Sequence, residues 1–283
     1  MDNGKLILLA VLAHPDDETF GMGGTLALYA RRGVEVHLVC ATRGEAGEVD
    51  EEYLQDFKTI AERRVSELNC AAGLLGLAGV HYLDYRDSGM PGSPDNQHPQ
   101  ALAAVSIDEV ARKIAIWIRQ LKPQVVITFD PIGGYRHPDH IAVHQATVKA
   151  YALASDPEMA TDGLEPFNPK KLYFHTIPRG LFRWGVRLLP LFGRNPRRWG
   201  RNGDIDLVAL AADEFPVQAR IDIYPVYEVK AQAAACHASQ GGPMMSGGFM
   251  GRIMRLGSRY ENYMRADPPP TPGKIEKDLF AEI

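Results

Sequence analysis

The sequence predicts an α/β fold built on a mainly parallel, doubly wound sheet, and two observations carry that expectation. Short apolar runs rich in Leu, Ile and Val alternate with longer segments of helical spacing, the pattern of buried parallel strands covered by helices. The tripeptide His-Pro-Asp occurs twice, as His14-Pro15-Asp16 and His137-Pro138-Asp139, each time just beyond such a run. Loops beyond the carboxyl ends of parallel strands are where such sheets collect ligands, so the repeat marks one shared site.

The elements follow in order. Lys5 to Ala13 is a continuous apolar run, too short to cross a membrane and cut off by His14-Pro15, and reads as the first strand. A helix is expected from Gly24 to Arg32, a strand from Val34 to Ala41, a helix from Asp56 to Leu75 and a strand from Val80 to Leu83. Ser106 to Leu121 has helical spacing, Val125 to Phe129 is a strand, His140 to Ala154 a helix and Leu172 to Thr176 the fifth strand. Beyond residue 176 the pattern loosens, leaving a strand near Ala219 to Tyr224, a helix from Val226 to Ala238, and a Gly- and Met-rich stretch from Gly241 to Gly251 expected to be mobile. Residues 1–266 read as one domain with a basic insertion at 179–203; the Pro-rich residues 267–283 read as an extended tail on the surface or against a neighbour.

Composition narrows the function classes. A net charge of -4 argues against a chain that lives on nucleic acid, which needs an excess of Lys and Arg. Cys40, Cys70 and Cys236 are odd in number and form no C-x-x-C pair, so reduced core thiols and a cytoplasmic location are expected, with no signal peptide. Gly21-Met22-Gly23-Gly24 lacks the full dinucleotide-binding spacing; close helix packing is the better use for those glycines.

The repeat carries the chemistry. A catalytic zinc takes three ligands from His, Asp and Glu and keeps one position open, and His14, Asp17 and His140 supply that set. Asp16 and His137 then stand beside the ion, Asp16 as general base for an attacking water and His137 as the acid that stabilises the oxyanion or protonates the leaving amine. The plainer alternative is that each His-Pro-Asp merely caps a helix. His140 with His144, an i, i+4 pair, is the rival ligand choice.

On these motifs the chain resembles the LmbE-like or PIG-L-like zinc N-deacetylases. The residues that carry the resemblance are Ala13 to Glu18, Thr42-Arg43-Gly44-Glu45-Ala46-Gly47, Gly134 to His140, and Lys230 through Cys236-His237-Ala238-Ser239-Gln240. The resemblance implies a Rossmann-like three-layer sandwich, one Zn²⁺ per subunit with Fe²⁺ as the other candidate, and removal of an acetyl group from an N-acetylglucosamine-type conjugate. It implies the same ligands, base and acid as above, and adds Arg64 and Asp87 as holders of sugar hydroxyls with Met90 beside them. Glu45 and Tyr135 are expected to line the same pocket. The Arg86-Asp87-Ser88-Gly89-Met90 loop resembles the branch acting on a thiol-cofactor precursor and its S-conjugates, which leaves hydrolysis of a larger cysteinyl amide as the alternative reaction.

The partner is therefore a small amino-sugar conjugate, within an expected assembly of like subunits. The stretch from Leu181 to Phe192, followed by Arg194, Arg197, Arg198 and Arg201, combines apolar bulk with arginine. A lid or subunit contact is its first reading, and contact with a membrane surface its second.

Overall fold

A computed structural model describes residues 4–161, 163–177, 179–199, 203, 206–243 and 259–283, with backbone alone at 181–182. The elements run β1 (Ile7–Leu12), α1 (Asp17–Arg31), β2 (Glu35–Cys40), α2 (Ile60–Leu75), β3 (Gly79–Tyr82), α3 (Ile107–Leu121), β4 (Val125–Phe129), a one-turn α4 (Gly133–Arg136) and α5 (Pro138–Leu153). They continue with β5 (Lys171–Thr176), α6 (Gly180–Leu188), α7 (Leu207–Ala212), β6 (Ala219–Asp222), α8 (Tyr227–Cys236) and β7 (Tyr260–Asp267). The sheet order is β3-β2-β1-β4-β5-β7-β6. β3 through β5 are mutually parallel, and β7 is antiparallel to both of its neighbours.

β1 sits mid-sheet, and Leu8 to Ala13 are fully buried, which is why it reads as an unbroken apolar run rather than an alternating one. α1, α2 and α8 pack together, and α3 packs on α5. Thr59 caps α2 by accepting the Glu62 N–H at 3.1 Å, and Gly76, at φ 75°, ends it. Ser106 caps α3 in the same way.

The structure departs from the sequence expectations in four places. α1 starts at Asp17, seven residues before the expected Gly24, because Glu18 and Thr19 pack inside the fold. Gly21 to Gly24 therefore lie within the helix, where a Cβ on Gly24 would come within 2.6 Å of Ile223. β7 has no sequence forecast: Tyr260 to Asp267 mixes charge with aromatics, since Glu261 and Arg265 are buried but paired with Lys230 and Glu276. The end of the Pro-rich tail is packed, with Leu279 and Phe280 in the main core and the Tyr29 hydroxyl accepting the Leu279 N–H.

Cys70 and Cys236 form a disulfide tying α2 to α8 across a sequence separation of 166, which corrects the expectation of three reduced thiols. Spacing gave no hint of it, since the bond joins helices that meet only in the fold. Cys40 alone is the buried free thiol of the core. The Gly- and Met-rich stretch falls, beyond residue 243, outside the described residues. Among the described residues no helix is long and apolar enough to cross a membrane.

Candidate active site

Four loops meet beyond the carboxyl ends of β1, β2, β3 and β4. The first carries His14, Asp16 and Asp17, the second Glu45, the third Asp87 and Met90, and the fourth Tyr135, His137 and His140. The alternating βα connections put all of these turns on one edge of the sheet, so the site follows from topology before any side chain is considered.

His14 and His140 are buried, and His14 Nδ1 lies 3.2 Å from His140 Nε2. Asp17 reaches between them, 3.5 Å from His14 Nδ1 and 3.3 Å from His140 Nε2. The other side of the His14 ring faces acid: Nε2 donates to Asp139 at 3.1 Å and lies 3.4 Å from Asp87. Nε2 therefore keeps its proton against the acids, and Nδ1 is the nitrogen turned toward His140 and Asp17. Two imidazole nitrogens and a carboxylate converging out of water are a donor set suited to a divalent cation.

The carboxylates around the cluster set its charge states, and a divalent ion would have to displace a proton from His14 Nδ1 to bind there. Burial alone would lower His14, but the carboxylate of Asp87 and the hydrogen bonds to Asp139 and Asp17 raise it well above the usual imidazole range. Burial would raise Asp17, but His140 and His14 hold it well below the usual carboxylate range. Asp87 is likewise held low against its burial by His14, the Gly89 N–H and Arg64.

His137 differs from its neighbours in kind. It is the N-cap of α5, its Nδ1 accepting the Asp139 N–H at 3.2 Å, with Pro138 at the first helical position. That bond fixes the proton on Nε2. Burial and the nearby His14 and His140 pull the ring down to about 2, so it is a neutral N–H donor and not a cation. Its ring nitrogen lies within 4.8 Å of those of His14 and His140.

Capping thus describes the second His-Pro-Asp, but not the first. Asp16 holds the cap position of α1 at φ 120° and makes no capping bond. Its carboxylate meets Arg64 Nη2 at 3.0 Å instead, while Glu18 accepts the Asp16 N–H at 2.9 Å. Burial lifts Asp16, against the pull of Arg64 and with the push of Asp17, to about 6.

Arg64 is buried inside the site, away from Glu62 on the helix surface. Besides Asp16 it donates to the Pro15 and Gly44 carbonyls at 2.8 and 3.1 Å, and Asp87 lies 3.8 Å away. Gly44, at φ 72°, must be glycine, since a Cβ there would come within 2.2 Å of Arg64. Glu45 joins two loops by accepting the Arg43 and Asp87 N–H groups at 3.3 and 3.1 Å. Met90 is half-buried, its carbonyl accepting from Ser93. Tyr135 is 38 % exposed, its ring edge-on to His140. His144 is not part of the cluster: it donates to the Phe129 carbonyl at 2.9 Å and packs on Phe174.

Two supports escaped the sequence reading. Asp139 is fully buried and clasps both His14 and the Ser88 N–H, the latter at 2.9 Å. His237, assigned nothing, lies 2.8 Å from Glu18, and both are fully buried. Ser239 then donates twice to Glu67, at 2.8 and 2.7 Å. The residues from Lys230 to Gln240 thus fasten α8 to α1 and α2 behind Asp16.

Comparison with known proteins gives the family. The PIG-L family, described as GlcNAc-PI de-N-acetylase, matches residues 9–151. A 1D-myo-inositol 2-acetamido-2-deoxy-alpha-D-glucopyranoside deacetylase of Thermobifida fusca is 37% identical over 242 residues, covering 82% of each chain. One of the same description from Acidothermus cellulolyticus is 35% identical, covering 98% of this chain and 94% of its own. In fold, a conserved protein of Thermus thermophilus matches with a TM-score of 0.60 at 24% identity, covering 94% of this chain and 96% of that one. By family match and by these relatives, the chain belongs to the PIG-L, or LmbE-like, family.

Proposed function

We propose that the protein is a metal-dependent amide hydrolase that removes the N-acetyl group from an N-acetylglucosamine-type conjugate, with inositol as the attached group. The observation that carries the chemistry is the buried convergence of His14 Nδ1, His140 Nε2 and Asp17 at 3.2 to 3.5 Å. The substrate class rests on the names of the Thermobifida and Acidothermus relatives.

His14, Asp17 and His140 would hold one divalent ion, zinc before iron(II) for a site of two imidazoles and a carboxylate. Such an ion, when bound, polarises the amide carbonyl and brings the pKa of water toward about 7. Asp16, lifted to about 6, is ionised at neutral pH yet basic enough to take the proton of the attacking water. Neutral His137 would donate its Nε2–H as a hydrogen bond to the carbonyl oxygen as charge develops there, and the proton taken up by Asp16 would pass to the amine nitrogen as the C–N bond breaks. Asp139 holds the His14 tautomer, and Arg64 holds the Asp16 rotamer. Tyr135 and Met90 form walls for the sugar, while Glu45 and Asp87 join the loops beside it.

The test pairs metal analysis with acetate release from N-acetylglucosaminyl-inositol. The expected result is about one divalent ion per chain and turnover in the wild type, with Asp16→Ala keeping the metal and losing turnover by at least about a hundredfold. Full activity in Asp16→Ala overturns its role as base. Full metal content in His140→Ala overturns the ligand set.

A further inference from the structure

We propose that α6 and the turn after it dock the protein onto an anionic lipid surface. Four large apolar side chains stand in solvent there: Trp184 is 64%, Leu188 48%, Leu191 78% and Phe192 78% exposed. Trp184 and Leu188 are one helical turn apart and Leu191 follows on the same side, so they form a continuous outward stripe. The opposite side of α6 is anchored: Val186 is buried with Leu207, Leu210 and Ala211, and Leu189 and Ile132 pack against them. Arg183 adds a 2.7 Å bond to the Ala211 carbonyl. The stripe is therefore presented by a seated helix and not by a frayed end.

Charge selects the occupant. Residues 179–203 contain seven arginines and neither Asp nor Glu, in a chain whose net charge is -4. Among the described residues, the acids close to this segment are already engaged: Asp206 with Arg197, Glu214 with Arg183, and Asp213 with Arg136. Arg187, Arg194 and Arg198 are exposed with no carboxylate partner among the described residues, and the Arg187 guanidinium lies 5.6 Å from the Trp184 ring. A second copy meeting the same face about a twofold axis would set arginines against arginines. An anionic bilayer accepts both halves of the patch, with Trp, Leu and Phe at the acyl boundary and the arginines among the headgroups. The small core under α6 includes Ile132, from the loop that carries Tyr135 and His137, and Arg179 donates to the Gly134 carbonyl of that loop at 2.8 Å. Docking would thus act beside the site, which reverses the order in which the sequence alone ranks the uses of this segment.

The experiment is co-sedimentation of the full chain with phosphatidylglycerol-containing vesicles and with pure phosphatidylcholine vesicles, at low and high salt. Binding to the anionic vesicles alone, weakening as salt rises, is the expected result. Arg194→Glu with Arg198→Glu should weaken it about twenty-five-fold or more, at about fivefold per arginine removed. Trp184→Ser with Phe192→Ser should weaken it at least tenfold, with melting temperature and acetate release from a water-soluble substrate unchanged. Equal binding to both vesicle types, or none to the anionic ones, overturns the proposal. So does a wild-type oligomer that Trp184→Ser with Phe192→Ser breaks into monomers, because a second copy would then cover the patch.

Discussion

Replacing Arg64 with Met separates two uses of one side chain. The resemblance makes Arg64 a holder of sugar hydroxyls; the geometry sets its Nη2 3.0 Å from the Asp16 carboxylate, with the pair buried. An opposite charge at that range lowers a carboxylate by about 1 to 3 units. With Arg64 in place Asp16 titrates at about 6. Losing the cation raises that value, and a base works only when ionised, so activity in the variant should fail at higher pH than in the wild type. A rise of about 1.5 units leaves roughly 3% of Asp16 ionised at pH 6 against about half in the wild type, a loss of about fifteenfold. Near pH 9 both are ionised and the gap should close to a few-fold. The assay is kcat/KM for acetate release across pH, with thermal melts run alongside because Arg64 also ties the Pro15 and Gly44 carbonyls. An acid limb that stays in place while KM alone rises would refute the reasoning and return Arg64 to the sugar.

Other outcomes follow from the supports behind the site. Asp139→Asn should weaken metal affinity by about 10- to 100-fold, read by competition with a chromophoric chelator, because an amide no longer fixes the His14 proton on Nε2; unchanged affinity would remove Asp139 from that role. Cys236→Ser, or a reductant on the wild type, should lower stability by up to roughly 5 kcal/mol for a loop this long, and an unchanged melting temperature would mean the bond restrains nothing. His237 is raised above its unfolded value: burial lowers it, but Glu18, with help from Asp16 and Glu67, outweighs that pull. Its contribution to stability is therefore full below about pH 6.5 and lost as pH rises through the folded value. Denaturant midpoints of wild type and His237→Gln should accordingly differ most near pH 6 and converge at higher pH; a gap that widens with pH would exclude the pairing.

The strands β1 to β5 and the long helices α2, α3 and α5 were legible because burial on both faces leaves an unbroken apolar run, and helical spacing survives at 3.6 residues per turn. Val125 to Phe129 needed no adjustment, whereas Asp17 to Gly23 did, since Glu18 and Thr19 look like a polar loop until His237 is folded against them. β7 was hidden for the same reason. Its buried Glu261 accepts from the Gly24 and Thr25 N–H groups and from Lys230, partners that all lie on other elements. Sequence shows apolar periodicity directly, but a buried charge is readable only when its partner is known. The disulfide is the extreme case, as two lone cysteines on separate helices carry no local signal.

The same limit explains what the repeated His-Pro-Asp concealed. Its two aspartates hold the same place in the motif, yet Asp16 is 17% exposed beside Arg64 and Asp139 is fully buried beside His14. Backbone decides the difference. In the second copy His137 caps α5 and sends Asp139 into its first turn, facing the first copy. In the first copy Asp16 itself takes the cap position at φ 120°, which turns its carboxylate away from the helix and toward Arg64. Asp139 of one copy then orients His14 of the other at 3.1 Å, so neither half can be set without its counterpart. A site assembled that way ties its acid-base geometry to correct pairing of β1 with β4, the strands that bring the two loops together. Misregister there would cost the ligand cluster and its base in the same step, which is why the apolar β1 and β4 are as much part of the chemistry as the histidines they carry.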